Sequence, residues 1–219
     1  MKHLLGVLWL LPVLLGLAPQ PPQLQARFIG QMAVSITDGS TTLVSDFPYR
    51  VGYAGAPSFD RAELRTKTPT LALITHGHLD HWEPALFAMT NWRVFGPNDV
   101  TTGISAERIV PLASRVALAT MEIEPLETPH ARIGHYSYLV TWHGRRLYFT
   151  GDTESPDALL ATKNLDVAFV SPWLFESISH RDRIDAKRIV IYHHQYGQRV
   201  KGCSGTCSAP RRNETVVIR

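Results

Sequence analysis

The stretch Thr75-His76-Gly77-His78-Leu79-Asp80-His81-Trp82 follows directly on the apolar run Leu71-Ala72-Leu73-Ile74. A short apolar run of this kind is typical of a buried strand, and a loop at its carboxyl end is a common place for functional groups. His76 and His78 are two residues apart, so on an extended backbone both side chains point the same way and can hold one cation. Asp80 and His81 follow, where the chain can turn toward a second cation. Because zinc-class ions take imidazole and carboxylate ligands at about 2 Å, the stretch predicts a metal site.

The pattern His-x-His-x-Asp-His after a buried strand resembles the metal motif of the metallo-β-lactamase-fold hydrolases. The resemblance implies an α/β fold in a single domain, an αββα four-layer sandwich with two mixed sheets face to face and helices outside. The alternation of predicted strands and short helices along the chain agrees with this architecture. Within the superfamily, the compact chain and the tryptophan after the histidines are similar to the small hydrolases that include L-ascorbate-6-phosphate lactonase.

The resemblance implies a third ligand for the first cation, after a strand and before a hairpin. His130 is the candidate, because it follows Thr128-Pro129 and precedes an alternating stretch, Tyr136–Trp142, that predicts a hairpin with residues 145–150. His135 lies directly before the first strand of the same hairpin and is the alternative ligand.

Two later strand ends and one early strand end complete the expected site. The strand over 145–150 ends in Gly151-Asp152-Thr153, and the resemblance implies that Asp152 bridges two metal ions. The last strand runs into His193 and His194. The resemblance puts the final ligand at His194, with His193 as the alternative, because the sequence does not fix this one-residue register. Asp46 is either a turn residue or, by the resemblance, a support for the metal loop.

The full set implied by the resemblance describes two cation sites with open positions. The expected metal ligands are His76, His78 and His130 in the first site, Asp80, His81 and His194 in the second, and Asp152 between them. This set implies two zinc ions per chain, with manganese or iron as alternatives, and a metal-bridging hydroxide that attacks an ester, lactone, thioester or phosphodiester. Asp80, which would also orient the water, and Asp152 are the expected catalytic residues. The alternatives are a phosphodiesterase or nuclease of the same fold and a non-catalytic metal-binding protein.

The amino terminus predicts export. Met1-Lys2-His3 precedes an almost wholly apolar run over residues 4–18, which is typical of a secretory signal peptide and short for a membrane span of about 20 residues. We therefore predict a signal peptide and spacer over 1–26, a hydrolase domain over 27–219, and a periplasmic or secreted protein with no stable membrane anchor. Cys203 and Cys207 are expected to form a disulfide in such an oxidising compartment.

The charge of the chain does not favour nucleic acid as a partner. It has 22 basic and 19 acidic residues, a net charge of +3, and no long basic block. The expected partner is a small-molecule substrate.

Overall fold

The computed structural model describes residues 22–51, 58–118 and 120–218. Most of the predicted signal peptide and spacer, residues 1–21, lies outside the described residues. None of the helices within the described ranges has the length and apolar character needed to cross a membrane.

Six strands form the first sheet: β1 Leu24–Gly30, β2 Ala33–Thr37, β3 Thr42–Ser45, β4 Thr70–Leu73, β5 Arg93–Phe95 and β13 Thr215–Ile218. Their order across the sheet is β13-β1-β2-β3-β4-β5. Strands β2 and β3 form an antiparallel hairpin with Asp38-Gly39 in its turn, whereas β3, β4 and β5 run parallel. Strand β1 begins at Leu24, so residues 24–26, which the sequence assigned to the spacer, belong to the sheet.

Seven strands form the second sheet: β6 Val116–Leu118, β7 Met121–Glu127, β8 Tyr136–Trp142, β9 Arg145–Phe149, β10 Val167–Val170, β11 Ile189–Ile191 and β12 Cys207–Ser208. Their order is β12-β11-β10-β9-β8-β7-β6. Strands β8 and β9 form the predicted antiparallel hairpin, and β9, β10, β11 and β12 are parallel. Both sheets are therefore mixed, as predicted.

The central strands are apolar on both faces because both faces are covered. In β4, Leu71 and Leu73 point into the core between the sheets, whereas Ala72 points outward. Strand β10 repeats the pattern, with Phe169 between the sheets and Val170 on the outer face. The two-residue period of a strand thus divides one apolar run between two cores.

Short helices cover the outer faces. The helices are α1 Pro84–Phe87, α2 Asn98–Thr101, α3 Asp157–Ala161 and α4 Pro172–Ser177, with 3₁₀ turns at Arg61–Leu64, Ala106–Arg108 and Arg181–Arg183. Phe87 of α1 and Val100 of α2 pack on the first sheet, and Leu159 of α3 and Leu174 of α4 pack on the second. The four layers are helix, sheet, sheet and helix, which confirms the predicted αββα sandwich.

The predicted disulfide is present. Cys203 and Cys207 are bonded, and both are half-buried against the core beneath α3 and α4. The bond closes a short loop immediately before β12.

Candidate metal centre

The loops at one end of the sandwich form what we call the mouth: residues 74–82, 129–135, 150–153 and 192–195. Residues 74–82 follow β4 and residues 129–135 connect β7 to β8. Residues 150–153 and 192–195 follow β9 and β11. Because parallel strands end at the same edge of a sheet, the polar residues that follow them meet there.

His76, His78 and His130 form the first group of ligands. One nitrogen of each ring lies within 4.8 Å of the others. His76 Nε2 is 3.0 Å from His78 Nδ1, and His130 Nε2 is 3.4 Å from the same atom. His76 is fully buried, whereas His78 is exposed and His130 is half-buried. The group is therefore buried at His76 and open to solvent at His78.

Two further groups lie beside the first: His76, His81 and Asp152, and then Asp80, His81 and His193. Asp152 Oδ2 is 3.3 Å from His81 Nε2 and 3.6 Å from His193 Nε2. Asp80 Oδ2 is 3.4 Å from His193 Nε2. The chain thus brings together six of the seven expected ligands and one, His193, that the sequence offered as an alternative.

The polar atoms at the mouth fit bound cations. Among the described residues, His81 Nε2, His193 Nε2 and Asp152 Oδ1 are buried and have no hydrogen-bond partner. Buried polar atoms in folded proteins are almost always paired with protein, water or an ion. Imidazole nitrogens facing carboxylate oxygens are the donor set that zinc-class ions take, so these residues fit a metal centre.

The charges of the mouth are arranged around His81. Burial works against a charge on His81, but Asp152 and Asp46 outweigh it and raise its pKa well above the usual value. Burial likewise opposes ionisation of Asp152, and His81 lowers the pKa of that carboxyl. Burial and the adjacent His81 lower the pKa of His76, which keeps its ring neutral and able to bind metal. The two buried carboxylates therefore need a positive charge, from a proton on His81 or from a cation.

Asp46 supports the metal loop. Its Oδ1 accepts hydrogen bonds from Thr75 N at 2.8 Å and Thr75 Oγ1 at 3.0 Å, and its Oδ2 lies 3.5 Å from His81 Nδ1. The side chain is fully buried. A carboxylate behind a ligating histidine fixes the orientation of the ring, so the supporting role, rather than the simple turn, describes Asp46.

The loop that carries Asp152 is held by two residues outside the ligand groups. His135 Nε2 accepts from Asp152 N at 2.9 Å, and Tyr192 Oη accepts from Gly151 N at 2.8 Å. Burial, followed by the proximity of His130, lowers the pKa of His135 to about 3, so its ring is neutral and can accept. Gly151 has φ +59°, and a Cβ there would lie 2.4 Å from His135 Nε2. His135 thus supports the loop, and His130 is the residue that lies in the first group with His76 and His78.

His194, the expected last ligand, does not belong to any of the three groups at the mouth. His194 Nε2 lies 3.0 Å from Pro210 O, and its ring stacks on Phe28 with the centroids 5.2 Å apart. His193 lies beside Asp80 and His81 instead, and its backbone has φ +56°, a left-handed conformation that breaks the alternation of the preceding strand. A kink at a non-glycine residue has no clear signal in the sequence.

Gln31 is a buried residue in contact with the mouth that sequence reasoning missed. It lies in the tight turn between β1 and β2, with φ +55° and 1% exposure. Its Nε2 is 3.4 Å from Asp80 Oδ2, and its carbonyl oxygen accepts from His193 N at 2.6 Å. A glycine followed by a polar residue between two apolar runs marks the turn, but nothing local indicates that the turn reaches Asp80 and His193.

Comparison with known proteins agrees with the fold. No family model matches the sequence. A curated protein of Deinococcus radiodurans, a UPF0173 metal-dependent hydrolase, is 27% identical over 170 residues, which cover 67% of this chain and 71% of that protein.

Solved structures show the same fold. Igni18, a metallo hydrolase from the hyperthermophilic archaeon Ignicoccus hospitalis, has a TM-score of 0.67 at 15% identity, over 90% of this chain and 99% of that chain. The metallo-β-lactamase fold protein YhfI from Bacillus subtilis has a TM-score of 0.57 at 14% identity, over 78% of this chain and 86% of that chain. These structures show that the chain has the metallo-β-lactamase fold, and the curated relative with the similar sequence is a metal-dependent hydrolase.

Proposed function

We propose that the protein is a dinuclear zinc hydrolase that acts on an ester, lactone, thioester or phosphodiester of a small molecule. One observation carries this proposal: three overlapping ligand groups converge at the mouth, and buried atoms in them have no hydrogen-bond partner among the described residues. His76 belongs to the first and second groups, and His81 to the second and third. A chain of groups linked in this way supports two adjacent sites rather than one.

The ligands divide between the two sites by position. One ion would be held by His76, His78 and His130, the other by Asp80, His81 and His193, and Asp152 would contact both. Two close divalent cations repel each other, and a carboxylate between them offsets that repulsion. Nitrogen and oxygen donors of this kind suit zinc, and manganese or iron would use the same residues.

Bound divalent ions would lower the pKa of a water molecule and polarise the carbonyl or phosphoryl oxygen of the substrate. The chain contributes the orientation. Burial opposes ionisation of Asp80, but the adjacent His193, whose Nε2 lies 3.4 Å from Asp80 Oδ2, outweighs it and lowers the pKa of this carboxyl. The Asp80 side chain is 30% exposed, so it remains ionised and accessible and can orient the attacking water. His135 and Tyr192 keep Asp152 in place through the backbone of its loop.

Export is part of the proposal. The signal-like segment before the domain and the disulfide between Cys203 and Cys207 both favour an oxidising compartment, the periplasm or the medium. Mass spectrometry of the exported protein should find residues 1–18 absent. Intact Met1 in the exported fraction would contradict this part of the proposal.

The catalytic proposal is tested with metal-depleted protein reconstituted with zinc, manganese or iron. The reconstituted forms are screened on four substrate classes: aryl esters, lactones, thioesters and phosphodiesters. We expect hydrolysis of at least one class, its loss with chelator, and its return with metal. A protein that binds metal yet turns over none of the classes would support the non-catalytic alternative.

A matched pair of carboxylate variants assigns any turnover to the mouth. Asp152→Asn removes the shared charge, and Glu154→Gln makes the same chemical change two residues away at an exposed side chain. Turnover should fall in Asp152→Asn alone. An equal loss in both variants would show that the measured activity does not depend on the mouth.

A further inference from the structure

Strand β10 lies between the two strands that deliver Asp152 and His193 to the mouth. The order in the sheet is β11-β10-β9, all parallel, so the three carboxyl ends lie side by side. Strand β10 contributes no ligand there. The residues after it are Ser171, Pro172 and Trp173, and helix α4 starts at Pro172. The position between the two ligand-bearing strands is therefore occupied by a tryptophan.

Trp173 differs from the other described tryptophans in its exposure. Trp82, Trp92 and Trp142 are at most 2% exposed, whereas Trp173 is 38% exposed. One side of its indole packs edge-on against the His193 ring, with the centroids 5.0 Å apart and an interplanar angle of 73°. The contact places the indole beside the group of Asp80, His81 and His193, and the exposed part of the indole faces solvent.

Other exposed apolar side chains adjoin the mouth as well. Leu79 is 48% exposed and stands between His78 and Asp80 in the metal loop. Tyr196, three residues after His193, is 58% exposed. Apolar surface that adjoins a polar centre is typical of a binding site, where it supplies affinity while the polar groups supply chemistry.

We propose that Trp173 binds the acyl chain of the substrate. The inference rests on the proposed hydrolase function and narrows it to esters or lactones of medium-chain acids. A flat indole gives a large apolar contact area with few rotatable bonds, so it binds a chain at low entropic cost. Each methylene group buried against it adds about a fourfold gain in binding.

A chain-length series measures this gain. The substrates are the p-nitrophenyl esters of acetate, butyrate, hexanoate and octanoate, assayed with zinc-loaded protein. In the unmodified protein kcat/KM should rise with chain length. Trp173→Ala should lower kcat/KM about tenfold or more for octanoate and less than twofold for acetate, because only the longer chain reaches the indole. Trp173→Phe should retain part of the preference. Val217→Ala is the control, because Val217 is 37% exposed at the opposite end of the sandwich, near Asp166 and Lys187.

Fluorescence gives a readout that does not need turnover. The difference in acrylamide quenching between the unmodified protein and Trp173→Phe isolates the signal of Trp173. Sodium octanoate should protect that signal, and sodium acetate, which has the same carboxylate without the chain, should not.

The outcomes separate this inference from the proposed function. Protection by octanoate together with a chain-length preference lost in Trp173→Ala supports the inference. The inference is overturned if esters are hydrolysed with the same chain-length preference in Trp173→Ala as in the unmodified protein. It is also overturned if octanoate does not protect Trp173 from acrylamide quenching. If no ester is hydrolysed, the ester part of the proposed function fails, and the quenching experiment alone decides whether Trp173 binds an acyl chain.

Discussion

Asp152 and Asp166 are both buried, but they lie at opposite ends of the sandwich and differ in their hydrogen-bond partners. Asp166, at the start of β10, accepts hydrogen bonds from Arg146 N at 2.8 Å and Lys187 Nζ at 2.7 Å. Asp152, after β9, has one oxygen without a partner among the described residues, and its other oxygen faces histidines. The described residues satisfy both oxygens of Asp166, whereas one oxygen of Asp152 has no partner among them. Burial alone therefore does not distinguish structural from functional acids, and the partners do.

The largest expected effect separates these two acids. Asp152→Asn should lower turnover at least 100-fold, beyond the 10–100-fold typical of residues that only support a ligand, because the shared charge is lost. The measurement is kcat/KM together with circular dichroism, which should stay unchanged.

Asp166→Asn is the matched control at the other end, where the same chemical change should leave turnover within about twofold. Equal losses of turnover in the two variants would mean that the mouth has no special role.

The next effect concerns the two adjacent histidines. His193→Ala should lower the affinity of the second site for zinc at least 100-fold, because the ring is a ligand there. Titration calorimetry with metal-depleted protein measures this affinity.

His194→Ala is its neighbour control. It should keep both zinc affinities and instead lower the free energy of unfolding by about 1–3 kcal/mol, through the lost stacking on Phe28 and the lost hydrogen bond to Pro210. A loss of zinc affinity in His194→Ala, with none in His193→Ala, would identify His194 as the ligand.

A smaller effect is expected at the support of the Asp152 loop. Tyr192→Phe removes only the hydroxyl that accepts from Gly151 N, so a buried N–H is left without a partner. We expect about a 10-fold loss of zinc affinity, as for other supports of metal ligands. Competition with a chelator of known affinity measures it.

Tyr148→Phe is the control for this change, because the Tyr148 hydroxyl is buried without a hydrogen-bond partner among the described residues. Zinc affinity should not change there. A loss as large as that in Tyr192→Phe would contradict the supporting role of Tyr192.

The smallest effect is on stability in acid. Burial opposes ionisation of Asp166, but the hydrogen bond from Lys187 outweighs it and lowers the pKa in the folded state. Its contribution is therefore present above the unfolded pKa, about 3.9, and is lost as the pH falls through the lower folded value. Asp166→Asn should cost about 1–3 kcal/mol at pH 7, and less near pH 3. Urea unfolding at the two pH values measures the difference, and an equal cost at both would exclude an ionised Asp166 as its source.

The sequence predicts the parts of the site that directly follow a strand with a clear pattern, and the left-handed residue before Asp152 is a glycine that the sequence shows. His76, His78, Asp80 and His81 come directly after an apolar run, and Asp152 comes after a hairpin with clear alternation, so local patterns position them. These patterns also define the central strands, and through them the αββα sandwich.

The parts that fail depend on backbone conformation or on distant contacts. His193, rather than His194, lies beside Asp80 and His81 because the backbone of His193 is left-handed. Strand β1 alternates buried Leu24 and Ala26 with an exposed Gln25, but its start was assigned to the spacer because it follows the signal-like run. Gln31 and Trp173 reach the mouth only through the sheet order, which no local pattern contains.

The stoichiometry of metal binding tests the central claim most directly. Metal-depleted protein is titrated with zinc, and native mass spectrometry counts the ions bound per folded chain. The account predicts two zinc ions per chain for the unmodified protein and for Asp166→Asn, and fewer than two for Asp152→Asn. A single ion at saturation, or two ions retained by Asp152→Asn, would contradict a two-metal centre organised by Asp152.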